Sequence, residues 1–428
     1  MDKRLQKRYL RLVGSHMNVV QAVAAGIKAL PDAGEAFAAT QAAWRFFHNP
    51  RVTLPALVEP LRDAGRKGAE KSESPYVLVI FDWSKMDYAS HSSKRDLTQI
   101  SHGDDWGYEL ATALLVDAAN GAPLAPMGLT VTAANGMNTT QAETPQRVIP
   151  HLDQVLPWMN ASGDWGLTPT CVHVIDREAD SLKHLRKWDA QGHRFLVRGD
   201  DRRVTFRGKS RLLSEIIPVL KREQAFQETR EVTIRGKVGQ QWVAQTEVLL
   251  EGCAWGTSAR GKNCRVPGKP LRLRLVIVEV RTAQGRLLAQ WILLTNVWDV
   301  SAAQIAVWYY WRWKIETFHK LLKSAGLEME EWQQETAVAI TKRLLVACMA
   351  CVTVWHLERE TSPPAEECKK FLVRLSGRQT KRTRPITTPA LLTGLHLLIS
   401  MLLVLENYTV PQLQQFAAHA APILRLSG

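Results

Sequence analysis

Tyr309, Arg312, Glu316 and Lys323 lie in one stretch, Trp308 to Lys323, with two, three and six residues between them. On an α-helix they fall at about 0°, 300°, 340° and 320°, so a phenol, a guanidinium, a carboxylate and an ammonium share a stripe roughly 60° wide. Trp311, Ile315, Phe318 and Leu322 fall on the opposite side and supply an apolar face to anchor the helix. A carboxylate between two cations and a phenol suits metal-dependent chemistry on a phosphodiester: the acid ligates a divalent ion, the cations neutralise phosphate and the phenol orients. The plain alternative is an exposed helix in which Arg312 and Glu316 form an ordinary i,i+4 pair. His319, about 20° outside the stripe, reads as a supporting or surface group.

Two further acids follow apolar runs. Tyr76-Val-Leu-Val-Ile-Phe81 leads into Asp82, and Cys171-Val-His-Val-Ile175 leads into Asp176. Runs of this kind suit strands buried on both faces. With Glu316 on a helix packed against the same sheet, three carboxylates can meet at one sheet edge. Oxygen donors in that number leave positions for phosphate oxygens and a nucleophile, as Mg2+ at a two-metal site requires; histidine or thiolate would have pointed to zinc. For Asp82 the alternative is a turn-forming or capping aspartate. For Asp176 that alternative is weaker, because Asp180-Ser181 offers a cap to the helix that follows.

The elements that must position these side chains can be read in order. Apolar spacing through Leu5, Leu10, Val13, Met17, Val20 and Ala24, then from Ala36 to Phe47, predicts helices over residues 1–70, with breaks at Pro31, Pro50 and Pro55. The run ending at Asp82, then Tyr108 to Val116 and Pro123 to Thr132, predict a three-stranded antiparallel meander whose last turn is Asn120-Gly121. A helix near Thr144 to Met159, strand 171–175, helix Ser181 to Trp188 and strand His193 to Val197 follow, and the strand-helix-strand unit implies parallel pairing. Residues 202–294 alternate in polarity and read as an inserted sheet, because a structureless loop of that length is implausible. After Trp291 to Thr295 comes the Glu316 helix, and from about Thr336 the chain is helical, broken by Pro363-Pro364 and a basic linker from Ser376 to Pro385. The fold class is α/β: a mixed sheet core with a β-rich insertion, flanked by helical N- and C-terminal regions.

A formal charge of +14 over 428 residues points to a polyanionic partner, with nucleic acid foremost. Basic residues recur at Lys3, Arg4, Lys7, Arg8 and Arg11, at Arg202, Arg203, Arg207, Lys209 and Arg211, and at Arg378, Lys381, Arg382 and Arg384. Six scattered cysteines suit a reducing compartment, and Cys348 and Cys351 read as core residues of an apolar helix. The most apolar window, Ala390 to Leu405, is shorter than a bilayer requires and reads as a buried helix, so no membrane span is expected.

Ile175-Asp-Arg-Glu-Ala-Asp180, His193-Arg-Phe-Leu-Val-Arg198, Trp291-Ile-Leu-Leu-Thr295 and the Tyr, Arg, Glu, Lys helix together resemble the catalytic core of DDE transposases. The resemblance is to the insertion-sequence-four family of bacterial cut-and-paste elements, nearest its transposon-five group. Ala42-Ala-Trp-Arg-Phe-Phe-His-Asn-Pro50 is similar to that family's end-binding region, which puts Arg45 among the DNA contacts. The match is collinear over most of the chain. It implies a DNA end-binding domain over 1–70, a ribonuclease-H-like core over 71–330 with its insertion at about 202–290, and a dimerisation region over 331–428. It further implies that Asp82, Asp176 and Glu316 are catalytic and hold two Mg2+ ions, for which Mn2+ substitutes. Tyr309, Arg312, Lys323 and Arg198 would contact phosphates, and Trp291 would stack on a flipped base. The implied partners are double-stranded DNA, as terminal inverted repeats and as target, and a second copy of the chain in a synaptic complex in the bacterial cytoplasm. Trp291 also reads as a core strand residue, and Arg198 as an ion-pair partner of Asp200 or Asp201. The competing functions are a relative that binds DNA without cutting it and a structure-specific nuclease. Trp83-Ser84 departs from the small hydroxyl pair expected after the first acid, so packing around that acid is expected to differ.

Overall fold

A computed structural model describes residues 2–17, 33–101, 103–257, 263–323, 327–377 and 386–424. The expected helical positions Val20 and Ala24, the break at Pro31 and the basic linker residues Arg378, Lys381, Arg382 and Arg384 lie outside the described residues. The chain opens with α1 (Lys3–Met17), α2 (Ala33–His48) and α3 (Leu54–Ala69), then β1 (Tyr76–Asp87), β2 (Thr98–Gln99), β3 (Trp106–Asp117), β4 (Pro123–Ala133) and β5 (Gly136–Thr139). It continues through α4 (His151–Ser162), β6 (Thr170–Ile175), α5 (Leu182–Ala190), β7 (Arg194–Arg198), β8 (Arg203–Phe206), β9 (Lys209–Leu212) and α6 (Leu213–Arg222). Next come β10 (Gln227–Ile234), β11 (Lys237–Leu250), β12 (Ala254–Thr257), β13 (Asn263–Val266), β14 (Leu271–Arg281) and β15 (Leu287–Thr295). The last helices are α7 (Ala302–Trp311), α8 (Trp313–Lys323), α9 (Ala337–Arg359), α10 (Pro363–Ser376), α11 (Thr388–Asn407) and α12 (Val410–Leu424).

Val77 to Phe81 are almost wholly buried, so both faces of β1 are covered and both of its edges are paired. It runs antiparallel to β3 from Val77↔Asp117 to Asp87↔Gly107, and parallel to β6 from Tyr76↔Thr170 to Ile80↔Val174. The expected meander of β1, β3 and β4 is present, and its Asn120-Gly121 turn places Gly121 at φ +74°, where a Cβ would also strike the Trp311 ring. Asp82 was expected at the end of its strand. Instead β1 continues to Asp87, because β3 keeps pairing with it after β6 has stopped.

The main sheet has the order β5-β4-β3-β1-β6-β7-β15-β14-β11-β8-β9, with β2 added to β3 and β10 to β11. The β-rich insertion was expected to form a sheet of its own. In the structure β15 fills the open edge of β7, β14 pairs with β15 and β11 with β14, so the insertion extends the main sheet. Only β12 and β13 form a separate pair among the described residues. Helices cover both faces of the meander. Gly65 of α3 lies against Met127, while Trp158 of α4 sits over the next residue, Gly128, where a Cβ would come within 1.9 Å of the indole.

α9 is buried along most of its length, with Cys348 and Cys351 in the core as expected. α11 corrects the expectation of a buried helix. Gly394 lets it cross α10 against the Leu372 carbonyl and its first turns are buried, but Leu397, Met401, Leu402 and Leu405 are exposed because its second half runs past that packing. By length and composition alone, α9 and α11 are both apolar enough to cross a bilayer; α9 is instead enclosed by protein.

Candidate active site

β6 ends at Ile175, and its parallel register with β1 ends at Ile80↔Val174. Asp82 and Asp176 therefore each stand two residues beyond the last parallel pair, Asp176 just past the end of β6 and Asp82 within β1 where only β3 still pairs with it, at the crevice where open α/β sheets bind ligands. Each is held by backbone: Asp82 Oδ1 accepts from the Trp83 N–H at 2.9 Å, and Asp176 Oδ1 from the Arg177 N–H at 2.7 Å. Asp176 thereby caps the 3-10 turn Arg177–Ala179. The cap expected from Asp180-Ser181 is not made by a side chain: the Ser181 hydroxyl meets His184 Nδ1 at 2.8 Å and makes no capping bond to α5, while Asp180 accepts from the Asp200 N–H at 2.6 Å and pairs with Arg202 at 3.2 Å.

The helix expected to carry Tyr309 through Lys323 unbroken is in fact two. Ser301 caps α7, and at the junction with α8 the Arg312 N–H bonds the Tyr309 carbonyl and the Ile315 N–H bonds the Arg312 carbonyl. These i−3 bonds tighten the chain for one turn, and Arg312 sits at the tightened point. Its guanidinium is buried and reaches all three acids. Nη1 lies 3.7 Å from Asp82 Oδ2, and Nη2 lies 3.3 Å from Asp176 Oδ2 and 2.5 Å from Glu316 Oε1. Carboxylates far apart in sequence thus converge on one cation.

Other expected site residues join them. The Tyr309 hydroxyl donates to Asp176 Oδ1 at 2.9 Å, and Arg198 Nη1 lies 3.9 Å from the same oxygen. Arg198 pairs with Asp176 and not with Asp200 or Asp201, which engage Arg177 at 3.2 Å and the Ser214 hydroxyl at 2.7 Å. Trp291 is buried with its ring edge-on to Tyr309, centroids 5.7 Å apart, and borders a cleft shared with Arg198, Trp313 and Lys314. Lys323 stands apart. Its ammonium donates to the Lys85 carbonyl and pairs with Glu330 at 3.1 Å. Arg45 belongs to a different cleft, lined also by Arg4, Lys7, Arg8, Arg11 and Arg51. His319 is buried with Nε2 3.1 Å from the Thr112 hydroxyl, and burial pushes its pKa down to about 3, which rules out the surface alternative.

The two aspartates differ in their electrostatics. Burial, reinforced by Glu316 and Glu178, pushes the Asp82 carboxyl up to about 6 against the pull of Arg312 and the Trp83 N–H. Burial acts the same way on Asp176, but Arg312, the Arg177 N–H, the Tyr309 hydroxyl and Arg198 together hold it below the usual carboxylate range. The acids in turn raise Arg312 against its own burial. Among the described residues, no three Asp, Glu, His or Cys side chains form a ready metal cage, because each acid of the site turns to the guanidinium. The donor set still fits a hard divalent ion, because it is all carboxylate oxygen and the three acids converge on one point.

Sequence reasoning missed a neighbouring cluster. The Trp83 ring stacks on His151 at 4.8 Å and 12°, and His151 lies between Glu109 and Glu178. The unusual Trp after Asp82 signalled altered packing, but nothing in the spacing of His151 connects it to that residue.

Comparison with known proteins adds an independent finding. Residues 73–352 match the family described as "Transposase DDE domain", a span that includes all three acids. No curated protein matches the chain. Among solved structures, one similar to this chain is the piggyBac transposase synaptic complex with hairpin DNA, at 8% identity and a TM-score of 0.35, covering 98% of this chain and 75% of that one. With the family match spanning most of its length, the chain belongs to the transposases built on the DDE domain.

Proposed function

We propose that the chain is a cut-and-paste DNA transposase of the insertion-sequence-four type, near its transposon-five group, that moves an insertion sequence by strand cleavage, hairpin formation and strand transfer. The observation carrying this reading is the convergence of Asp82, Asp176 and Glu316 on Arg312. Those three acids would hold two Mg2+ ions, with Mn2+ as a substitute, which when bound supply Lewis acidity at the scissile phosphate and activate an attacking water or 3′ hydroxyl. Arg312 is the group that can trade partners: it balances the acids, and it is placed to meet phosphate oxygens at the same point. Tyr309 orients Asp176 through its hydroxyl, and Arg198 adds a second cation on the same side.

Hydrolysis of the first strand leaves a 3′ hydroxyl. Its attack on the opposite strand forms a hairpin at the element end, which is reopened before transfer to target DNA. Hairpinning expels a base from the stack, and Trp291, beside the Arg198 cleft, offers it an indole platform. Residues 71–330 would form a ribonuclease-H-like core, with the insertion at 202–290 widening its sheet. The cleft of Arg4, Lys7, Arg8, Arg11, Arg45 and Arg51 would grip the DNA backbone, placing end binding in residues 1–70. Residues 331–428 would join two copies of the chain in a synaptic complex on DNA in the cytoplasm.

The test is incubation of the purified protein with Mg2+ and linear DNA carrying the inverted repeats that flank its gene. A nick at the repeat end followed by a hairpin on a denaturing gel is the expected result. Degradation without end specificity identifies a nuclease, and a mobility shift without cutting identifies a binding protein.

A further inference from the structure

We propose that His151 is a positioning residue for the acid site: stacked on Trp83 and set between Glu109 and Glu178, it fixes the neighbours of Asp82 and Asp176 relative to each other. The inference rests on reading those acids as the reactive centre.

His151 begins α4, at the carboxyl end of the β1–β6 strand pair. Its Nε2 is 2.7 Å from Glu109 Oε2 and its Nδ1 is 3.8 Å from Glu178 Oε2, so both ring nitrogens face carboxylates. The Trp83 indole lies flat on the ring, and its Nε1 reaches Gln154 Oε1, one turn further along α4, at 3.5 Å. These contacts draw on three parts of the sheet. Trp83 follows Asp82 in β1 and gives it its backbone hydrogen bond. Glu178 sits within the 3-10 turn that Asp176 caps. Glu109 of β3 registers with Lys85 of β1, providing a fixed point from which the other two are held.

One ring therefore touches the residue after Asp82 and the second residue after Asp176. Glu109 and then Glu178, working against partial burial, raise His151 to about 9, so it is a cation at neutral pH. It offsets Glu178, whose charge otherwise adds to the burden on Asp82, and it presents that cation to an aromatic face. A third tie comes from α5, where His184 Nε2 meets Asp153 of α4 at 3.0 Å and holds the helix that carries His151.

The test uses full-length protein, Mn2+ as the probe and two readouts: Mn2+ binding by electron paramagnetic resonance, and the imidazole titration of His151 by NMR. His151→Ala should weaken Mn2+ binding about tenfold or more, as loss of a group that orients metal ligands does. Because His151 works through Glu178, the same substitution should cost less in a Glu178→Gln background. Where His151→Ala fails to fold, Trp83→Phe against Trp83→Leu asks the same question: Phe keeps the stacked ring and Mn2+ affinity, Leu loses both. Unchanged Mn2+ affinity in His151→Ala, or effects of His151→Ala and Glu178→Gln that simply multiply, overturns the proposal. A merely structural role lowers thermal stability and leaves Mn2+ affinity alone. A wild-type protein that binds no Mn2+ sinks the reading of the acids themselves. The NMR titration then still judges the clamp, which stands if the His151 midpoint near 9 falls toward ordinary imidazole values in Glu178→Gln, and fails if it does not move.

Discussion

Asp82→Asn should stabilise this protein while abolishing its chemistry. Burial pushes the Asp82 carboxyl from 3.8 up to about 6, so in the folded chain the ionised form is held against an opposing environment. The sign follows directly. The folded state binds the proton more tightly than the unfolded state, so ionising Asp82 opposes folding; the penalty grows as pH rises from about 4 to 6 and is complete above that. At about 1.4 kcal/mol per pH unit, the interval between the two values amounts to about 3 kcal/mol. Asparagine is nearly isosteric, keeps an acceptor for the Trp83 N–H and removes the charge. In chelator at pH 8, amides of β1 and β6 should therefore open at a cost about 3 kcal/mol higher in Asp82→Asn than in wild type, a gain that vanishes near pH 4. Native-state hydrogen exchange measures this strand by strand. Millimolar Mg2+ should remove most of that difference, since a ligand at 100 times its dissociation constant adds about 2.7 kcal/mol to a chain that binds it. An asparagine variant less stable than wild type at pH 8 in chelator, or a difference that does not change with pH, refutes the reasoning.

Asp176→Ala and Glu316→Ala should each abolish cleavage of end-bearing DNA yet leave its gel-shift affinity intact; retained cutting by either purified variant removes that residue from the reactive centre. Arg45→Ala should weaken DNA binding across all sequences and reduce the slope of log affinity against log salt by about one, since one phosphate contact is lost; an unchanged slope places Arg45 off the DNA. Trp291→Ala should impair hairpin formation more than first-strand nicking on denaturing gels. An equal loss at both steps makes Trp291 a packing residue, a role its burial against Tyr309 also allows.

The parts of the fold that were legible in sequence are those whose signal is local. Val77 to Phe81 had to be a doubly covered strand because no polar side chain interrupts it, and Asn120-Gly121 had to turn because Gly121 accepts a positive φ. What was not legible depends on partners. Alternating strands such as β11 and β14 show two faces in their sequence but not which edge they join, so the insertion read as a separate sheet when it extends the main one. The break between α7 and α8 has no proline or glycine to announce it; the turn tightens where Arg312 faces three acids, only one of which is its neighbour in sequence. Helical spacing placed Arg312 on the right stripe beside Glu316, but Glu316 alone does not demand a buried guanidinium. Asp82 and Asp176 supply that demand, and they arrive through the parallel pairing of β1 with β6. The same pairing fixes where the aspartates stand, so that a single side chain reaches all three acids, while burial at that point raises Asp82. A cluster so arranged would gain from any further cation that entered it, and the sheet contributes to that as much as the acids themselves.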